Sequence, residues 1–239
     1  MKRIILLFQV LILLILCQPL ATFAAKEEVN YLALGDSLAY GLTADRSIVY
    51  GYPHYIRDFF IEEGIDVHYL NQAKSGATSD DVLSDLQTNP ITIDAVKHAD
   101  YITIDAGAND LLNELKKLQN NLPFDPLGAS IAAISNMDRM LKVIDEWNPD
   151  ANVYVMGYYN ALHPLNFSNE TKARFLPILH KFNDSLRMTT ETNGAFFIPT
   201  YQSIEDNHKR FLPIDVHLTT DGYEAVAKEF WKAMKNTLP

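Results

Sequence analysis

Five short apolar runs alternate with helix-like segments along nearly the whole chain, and that alternation leaves few architectures open. The runs are Val29–Leu34, Val67–Leu70, Tyr101–Asp105, Val153–Met156 and Ala195–Ile198. Each is followed by a stretch whose apolar residues recur every three or four positions. Strands separated by helices cannot form hairpins, so they pair in parallel through right-handed crossovers. The runs are continuous rather than alternating, which suits strands covered by helices on both faces. The expectation is an α/β fold, a three-layer α/β/α sandwich around a five-stranded parallel sheet.

Helix boundaries follow from breakers and caps. A helix spans Tyr52–Glu63, stopped by Gly64, and Thr78 caps the next, with Asp81 three residues on and Val82, Leu83 and Leu86 facing inward. A short helix around Asp94–His98 follows the Asn89-Pro90 break, and Leu111–Leu118 resumes helix after the third strand. Leu127–Trp147 is long, with an inner stripe of Ile131, Ile134, Leu141 and Ile144. Thr171–Thr192 is mostly helical, with a kink or restart expected at Pro177. Thr219 or Thr220 caps a last helix with Tyr223, Val226, Ala227, Phe230 and Met234 inside.

The first 25 residues read differently. Lys2 and Arg3 precede an apolar run from Ile4 to Leu16, Pro19 interrupts it, and Thr22-Phe23-Ala24-Ala25 offers small residues for cleavage after Ala24 or Ala25. That is the layout of an export signal, and the run is short for a membrane span. The expectation is a leader over residues 1–25, one domain over 26–239, and a secreted or cell-surface product. A lipid anchor on Cys17 is disfavoured by the bulky Leu16 before it. Loss of the leader removes the only cysteine and, with Lys2 and Arg3, takes the formal charge from −10 to −12. Such an acidic chain is not expected to bind nucleic acid, and its membrane contact is at most peripheral. A monomer is expected.

In parallel sheets ligands bind beyond the carboxyl ends of the strands. Four segments with chemical content fall on that edge: Gly35-Asp36-Ser37-Leu38, Gly76, Gly107-Ala108-Asn109-Asp110, and Asp215-Val216-His217. Each alone has a plain explanation. Ser37 would serve as a helix cap, Gly76 as a turn residue, and a lone histidine is more often structural. Six further histidines, at positions 54, 68, 98, 163, 180 and 208, have no motif around them. The order of the four segments and their shared edge are not explained by turns and caps.

Together these segments resemble the GDSL, or SGNH, hydrolase family, over roughly Tyr31 to Trp231. The resemblance implies a flavodoxin-like sandwich and a serine esterase acting on acyl esters, as a lipase, lysophospholipase or short-chain esterase. It implies Ser37 as nucleophile, His217 as the base, and an oxyanion hole from the Ser37 and Gly76 N–H groups and the Asn109 side chain. No cofactor and no metal are implied, and the partner is a small-molecule or lipid ester. The family's acid commonly stands three residues before the histidine, where this chain has Ile214; Asp215 is the candidate here, with a backbone carbonyl as the alternative. Leu218 also replaces a common proline. Asp36 and Asp110 are expected to hold turns. Tyr50, Tyr52, Tyr158, Tyr159 and Phe167 are candidates to line the mouth. Polysaccharide O-acetyl esterases and acyltransferases of the same family are alternative readings, as is a non-catalytic glycan-binding module. A flavin or nucleotide carrier fits poorly, because no phosphate-binding glycine loop follows the first strand.

Overall fold

The computed structural model describes residues 27–239, so the expected leader and Cys17 lie outside the described residues. Five strands form one parallel sheet: β1 (Glu28–Gly35), β2 (Asp66–Asn71), β3 (Tyr101–Asp105), β4 (Asn152–Met156) and β5 (Phe196–Ile198). Their order is β2-β1-β3-β4-β5. The chain leaves β1 toward β2, then returns to the other side of β1 to lay down β3. The β1/β3 boundary is therefore the topological switch point, where a crevice opens beyond the strand ends.

The helices are α1 (Ser37–Tyr40), α2 (Tyr52–Glu62), α3 (Ser79–Thr88), α4 (Pro90–His98), α5 (Ala108–Gln119), α6 (Pro126–Trp147), α7 (Asn169–Thr192), α8 (Tyr201–Glu205), α9 (His208–Phe211) and α10 (Thr220–Met234). Helix α2 packs against α10, and α6 packs against α3, α5 and α7, giving two helical layers around the sheet. The central strands are buried throughout β3 and most of β1, as two covered faces require. The edge strand β2 instead alternates exposed and half-buried residues; among the described residues no strand pairs with its outer side.

Capping chemistry sets several helix starts. Thr78 and Asp81 form a reciprocal capping box, and Asn89, Asp125, Ser168 and Thr219 each cap through their side-chain oxygen. Two sequence expectations are corrected. Ile131 is 71% exposed, and the buried stripe of α6 is Ala133, Met137, Met140, Leu141 and Ile144. Six residues before Met137, Ile131 is rotated by about 120° from that stripe. Pro177 neither ends nor restarts its helix, since α7 runs unbroken from Asn169 to Thr192. Proline removes the N–H that the Ala173 carbonyl would meet one turn earlier, but both residues are exposed, the setting in which a lost helix bond costs least.

Candidate active site

Strand register fixes where the site forms. Gly35, the last residue of β1, lies beside Asp105, the last of β3. A Cβ at Gly35 would stand 1.8 Å from the Asp105 Oδ1, so only glycine lets the two strand ends close up with that carboxyl between them. The chain then turns at Asp36 into α1. The Asp36 carboxylate accepts the Leu38 N–H at 2.9 Å, acting as the cap, and Ser37 becomes the first helical residue. A first-turn N–H has no partner inside its helix, so the Ser37 N–H stays available to a ligand. From β3 the chain passes Ala106 and Gly107 into α5, bringing Asn109 alongside.

The second half arrives from the far end of the sequence. Ser37 Oγ lies 3.1 Å from His217 Nε2, and the contact is buried. On the ring's other side, His217 Nδ1 is 3.0 Å from each Asp215 carboxylate oxygen. The His217 backbone N–H also donates to Asp215 Oδ1 at 2.8 Å. That last bond explains how an acid two residues away reaches the ring. The carboxylate folds back over its own backbone to take the N–H two residues on, the Asx-turn habit of aspartate, and this delivers it to the imidazole above. Ile214, in the spacing common to the family, is 63% exposed. The loop is further held by the Tyr159 hydroxyl, which donates to the Val216 carbonyl at 2.8 Å.

The oxyanion candidates border the same space. Gly76 takes a φ of +83°, which non-glycine residues rarely adopt, on the loop after β2. Ser37, Gly76, Asn109, Asp215 and His217 all line one cleft. The Asn109 amide donates to the Ala77 carbonyl at 2.9 Å and to Asp36 Oδ2 at 3.1 Å. Both of its hydrogens are thus engaged at rest, and donation to an oxyanion requires one to be shared.

Behind the serine sits a group that the motifs do not contain. Asp105 is fully buried and receives the Tyr52 hydroxyl at 3.0 Å and, more weakly, the Asp36 N–H at 3.4 Å. Burial, then the adjacent Asp36 charge, holds its carboxyl well above the usual carboxylate range. Burial also raises Asp36, opposed by the hydrogen bonds it accepts from Asp105 and the Leu38 N–H. One proton is therefore held between the two acids, on Asp105, and Asp36 remains the acceptor for Leu38 and Asn109. An acid closing an otherwise apolar strand was the available sequence signal. Asp110 braces a neighbouring turn, accepting the Ser79 N–H at 2.8 Å and its hydroxyl at 2.7 Å.

Two clefts meet at Ser37 and Asn109. One encloses about 750 Å³, open solvent at its mouth included, and is walled by apolar side chains such as Leu111, Leu115, Leu162, Phe175, Ile178 and Phe182, with Tyr158 and Tyr159. The other is more polar and carries Arg46, Lys116, Gln119 and Phe167. Tyr50 and Tyr52 line neither. Tyr52 is buried on Asp105, and Tyr50 stacks on His54, its ring also facing the Arg57 guanidinium.

The GDSL-like lipase/acylhydrolase family model matches residues 33–225. The chain is 29% identical over 212 residues to the spore germination lipase LipC of Bacillus licheniformis, an alignment covering 84% of this chain and 94% of that protein. The crystal structure of the lipase Lip_vut3 from a goat rumen metagenome superposes with a TM-score of 0.71 at 28% identity, covering 86% of this chain and 97% of that one. The acetylxylan esterase Axe2 of Geobacillus stearothermophilus shares the fold, with a TM-score of 0.63 at 15% identity over 85% of this chain and 93% of its own. With its family model matched over most of its length, the chain belongs to the GDSL-like lipase/acylhydrolase family, and it is an ester-hydrolysing enzyme.

Proposed function

We propose that this enzyme cleaves esters of apolar acyl chains through an acyl-enzyme on Ser37. The observation that carries the reading is the unbroken hydrogen-bonded line Asp215–His217–Ser37, ending where the apolar cleft opens. His217 takes the Ser37 proton as Oγ attacks the ester carbonyl, then returns it to the departing alcohol. Asp215 fixes the ring so that Nδ1 carries the hydrogen and Nε2 the lone pair. The negative oxygen of the tetrahedral intermediate is met by the N–H groups of Ser37 and Gly76 and by Asn109. Water then repeats the sequence on the acyl-enzyme and releases the acid. No step in this scheme asks for a cofactor.

The two clefts divide the substrate. The apolar one takes the acyl chain, and the polar one, with Arg46 and Lys116, takes the alcohol. This favours a lipid or lysophospholipid ester over an acetylated polysaccharide, since an acetyl group would leave the apolar cleft unfilled. The product is exported, as its leader-like first residues suggest. The test is a series of p-nitrophenyl esters. Each CH₂ buried contributes at most about 0.8 kcal/mol, so lengthening the chain by two carbons raises kcat/KM by up to roughly an order of magnitude until the cleft is full. Ser37→Ala abolishes turnover throughout. A profile that peaks at acetate and falls thereafter would support the acetyl-esterase reading instead.

A further inference from the structure

Two histidines that belong to no motif meet a carboxylate on the side of the acyl cleft. His163 lies on the loop after β4, which walls that cleft with Tyr158, Tyr159, Ala161 and Leu162. Glu205 ends α8 and His208 begins α9, on the segment leading to Asp215. One ligand atom from each of the three falls within 4.8 Å of the other two. The two imidazoles stack, with centroids 4.0 Å apart and planes 17° from parallel. All three side chains are half-buried, so the cluster is reachable from solvent.

The hydrogen bonding at His163 is inconsistent for a proton. Its Nε2 is 2.8 and 2.9 Å from the Glu205 oxygens, which demand an N–H there. The same Nε2 is 3.1 Å from Asn160 Nδ2, an N–H donor that demands a lone pair. The Asn160 amide is oriented by its Oδ1, which accepts the Leu162 N–H at 3.1 Å. No protonation state of the ring satisfies both neighbours. A dication between Nε2 and the carboxylate accepts a lone pair from each, so the two need no proton between them. The other ring is already set for this: His208 Nδ1 holds the Glu205 carbonyl at 3.0 Å, leaving Nε2 to coordinate. Among the described residues Glu205 has no lysine or arginine partner, and Lys172 directs its ammonium to the His163 carbonyl, 3.1 Å away.

We propose that His163, Glu205 and His208 form a binding site for a divalent transition-metal ion, best suited to Zn²⁺, separate from the catalytic residues. Two imidazoles and a carboxylate are a zinc donor set, and bonds of about 2.0–2.2 Å place tetrahedral ligands about 3.3 Å apart, so the two rings, 17° from parallel here, turn out of their stack to point both lone pairs at the ion. Water completes the fourth position. The ion cross-links the cleft-walling loop to the α8–α9 segment and so fastens one side of the acyl site.

Titration of the full exported chain with ZnCl₂ tests this by calorimetry and thermal melting. The result expected is one Zn²⁺ per chain and a Tm raised by about 5 °C at saturation, reversed by EDTA. Co²⁺ in its place gives the visible absorption of a tetrahedral site. Removing a direct ligand, in His208→Ala or Glu205→Gln, weakens binding by more than about 100-fold. Both variants are checked for folding by circular dichroism, and either folded one suffices. Absence of stoichiometric binding, or wild-type affinity in a folded variant, would overturn the site.

Discussion

Replacing Asp215 with asparagine changes one atom of the site and tests the geometry at its least ordinary point. In the wild type both carboxylate oxygens sit 3.0 Å from His217 Nδ1, and Oδ1 also receives the His217 backbone N–H at 2.8 Å. The backbone N–H requires an acceptor, so the asparagine carbonyl occupies the Oδ1 position and the amide NH₂ takes that of Oδ2. The NH₂ then points at Nδ1 and favours the ring tautomer with the lone pair there. The hydrogen moves to Nε2, where it faces Ser37 Oγ and leaves that nitrogen with no lone pair to accept the serine proton. In serine-protease triads this exchange lowers kcat by about 10⁴, equivalent to about 5.4 kcal/mol of transition-state stabilisation. The same loss is expected here in kcat on a p-nitrophenyl ester, with KM changed little, since Asp215 contacts the base rather than the acyl cleft. The fold should survive, because the Asx bond is retained and the side chain is 24% exposed at the surface. A folded Asp215→Asn enzyme within tenfold of wild type would show that the carboxylate does not orient the base.

Other expectations follow from the same arrangement. Asn109→Ala removes one oxyanion donor and should lower kcat by 10²–10³, about 2.7–4 kcal/mol, while stopped-flow acylation rates fall in step; an unchanged kcat would leave Ser37 and Gly76 as the whole hole. Asp105 has a raised folded-state pKa, so its contribution to stability is complete below the unfolded value and declines as pH rises through the folded one. Asp105→Asn, which imitates the protonated acid, should therefore gain stability relative to wild type as pH rises above the range where a free carboxyl ionises, read by urea unfolding at a series of pH values. A pH-independent difference between the two would mean that Asp105 is not the proton holder.

The architecture was legible because its signals are local and repeated. Apolar runs and caps such as Thr78 and Thr219 depend on residues a few positions apart, and every strand falls within one residue of its expected ends. That Ser37, Gly76, Asn109 and His217 would border one cleft was legible through their order, which places each beyond a strand on one edge. What escaped was set by three-dimensional contact. The exposure of Ile131 follows from helix phase against the sheet, and the continuity of α7 through Pro177 from which side meets water. Tyr52 looked like a mouth residue from its place along the chain, yet its hydroxyl is needed by Asp105, a partner 53 positions away. The stacking of His163 on His208 joins two loops that no local pattern connects.

The central claim is that the Ser37 oxygen is the atom that becomes acylated. Reaction of the folded protein with a fluorophosphonate, followed by peptide mass mapping, measures this without assuming any substrate. The account predicts a single adduct on the peptide containing Ser37, formed slowly or not at all in His217→Ala and absent in Ser37→Ala. Stoichiometric modification of another residue with Ser37 left free, in a protein that still turns over esters, would contradict it.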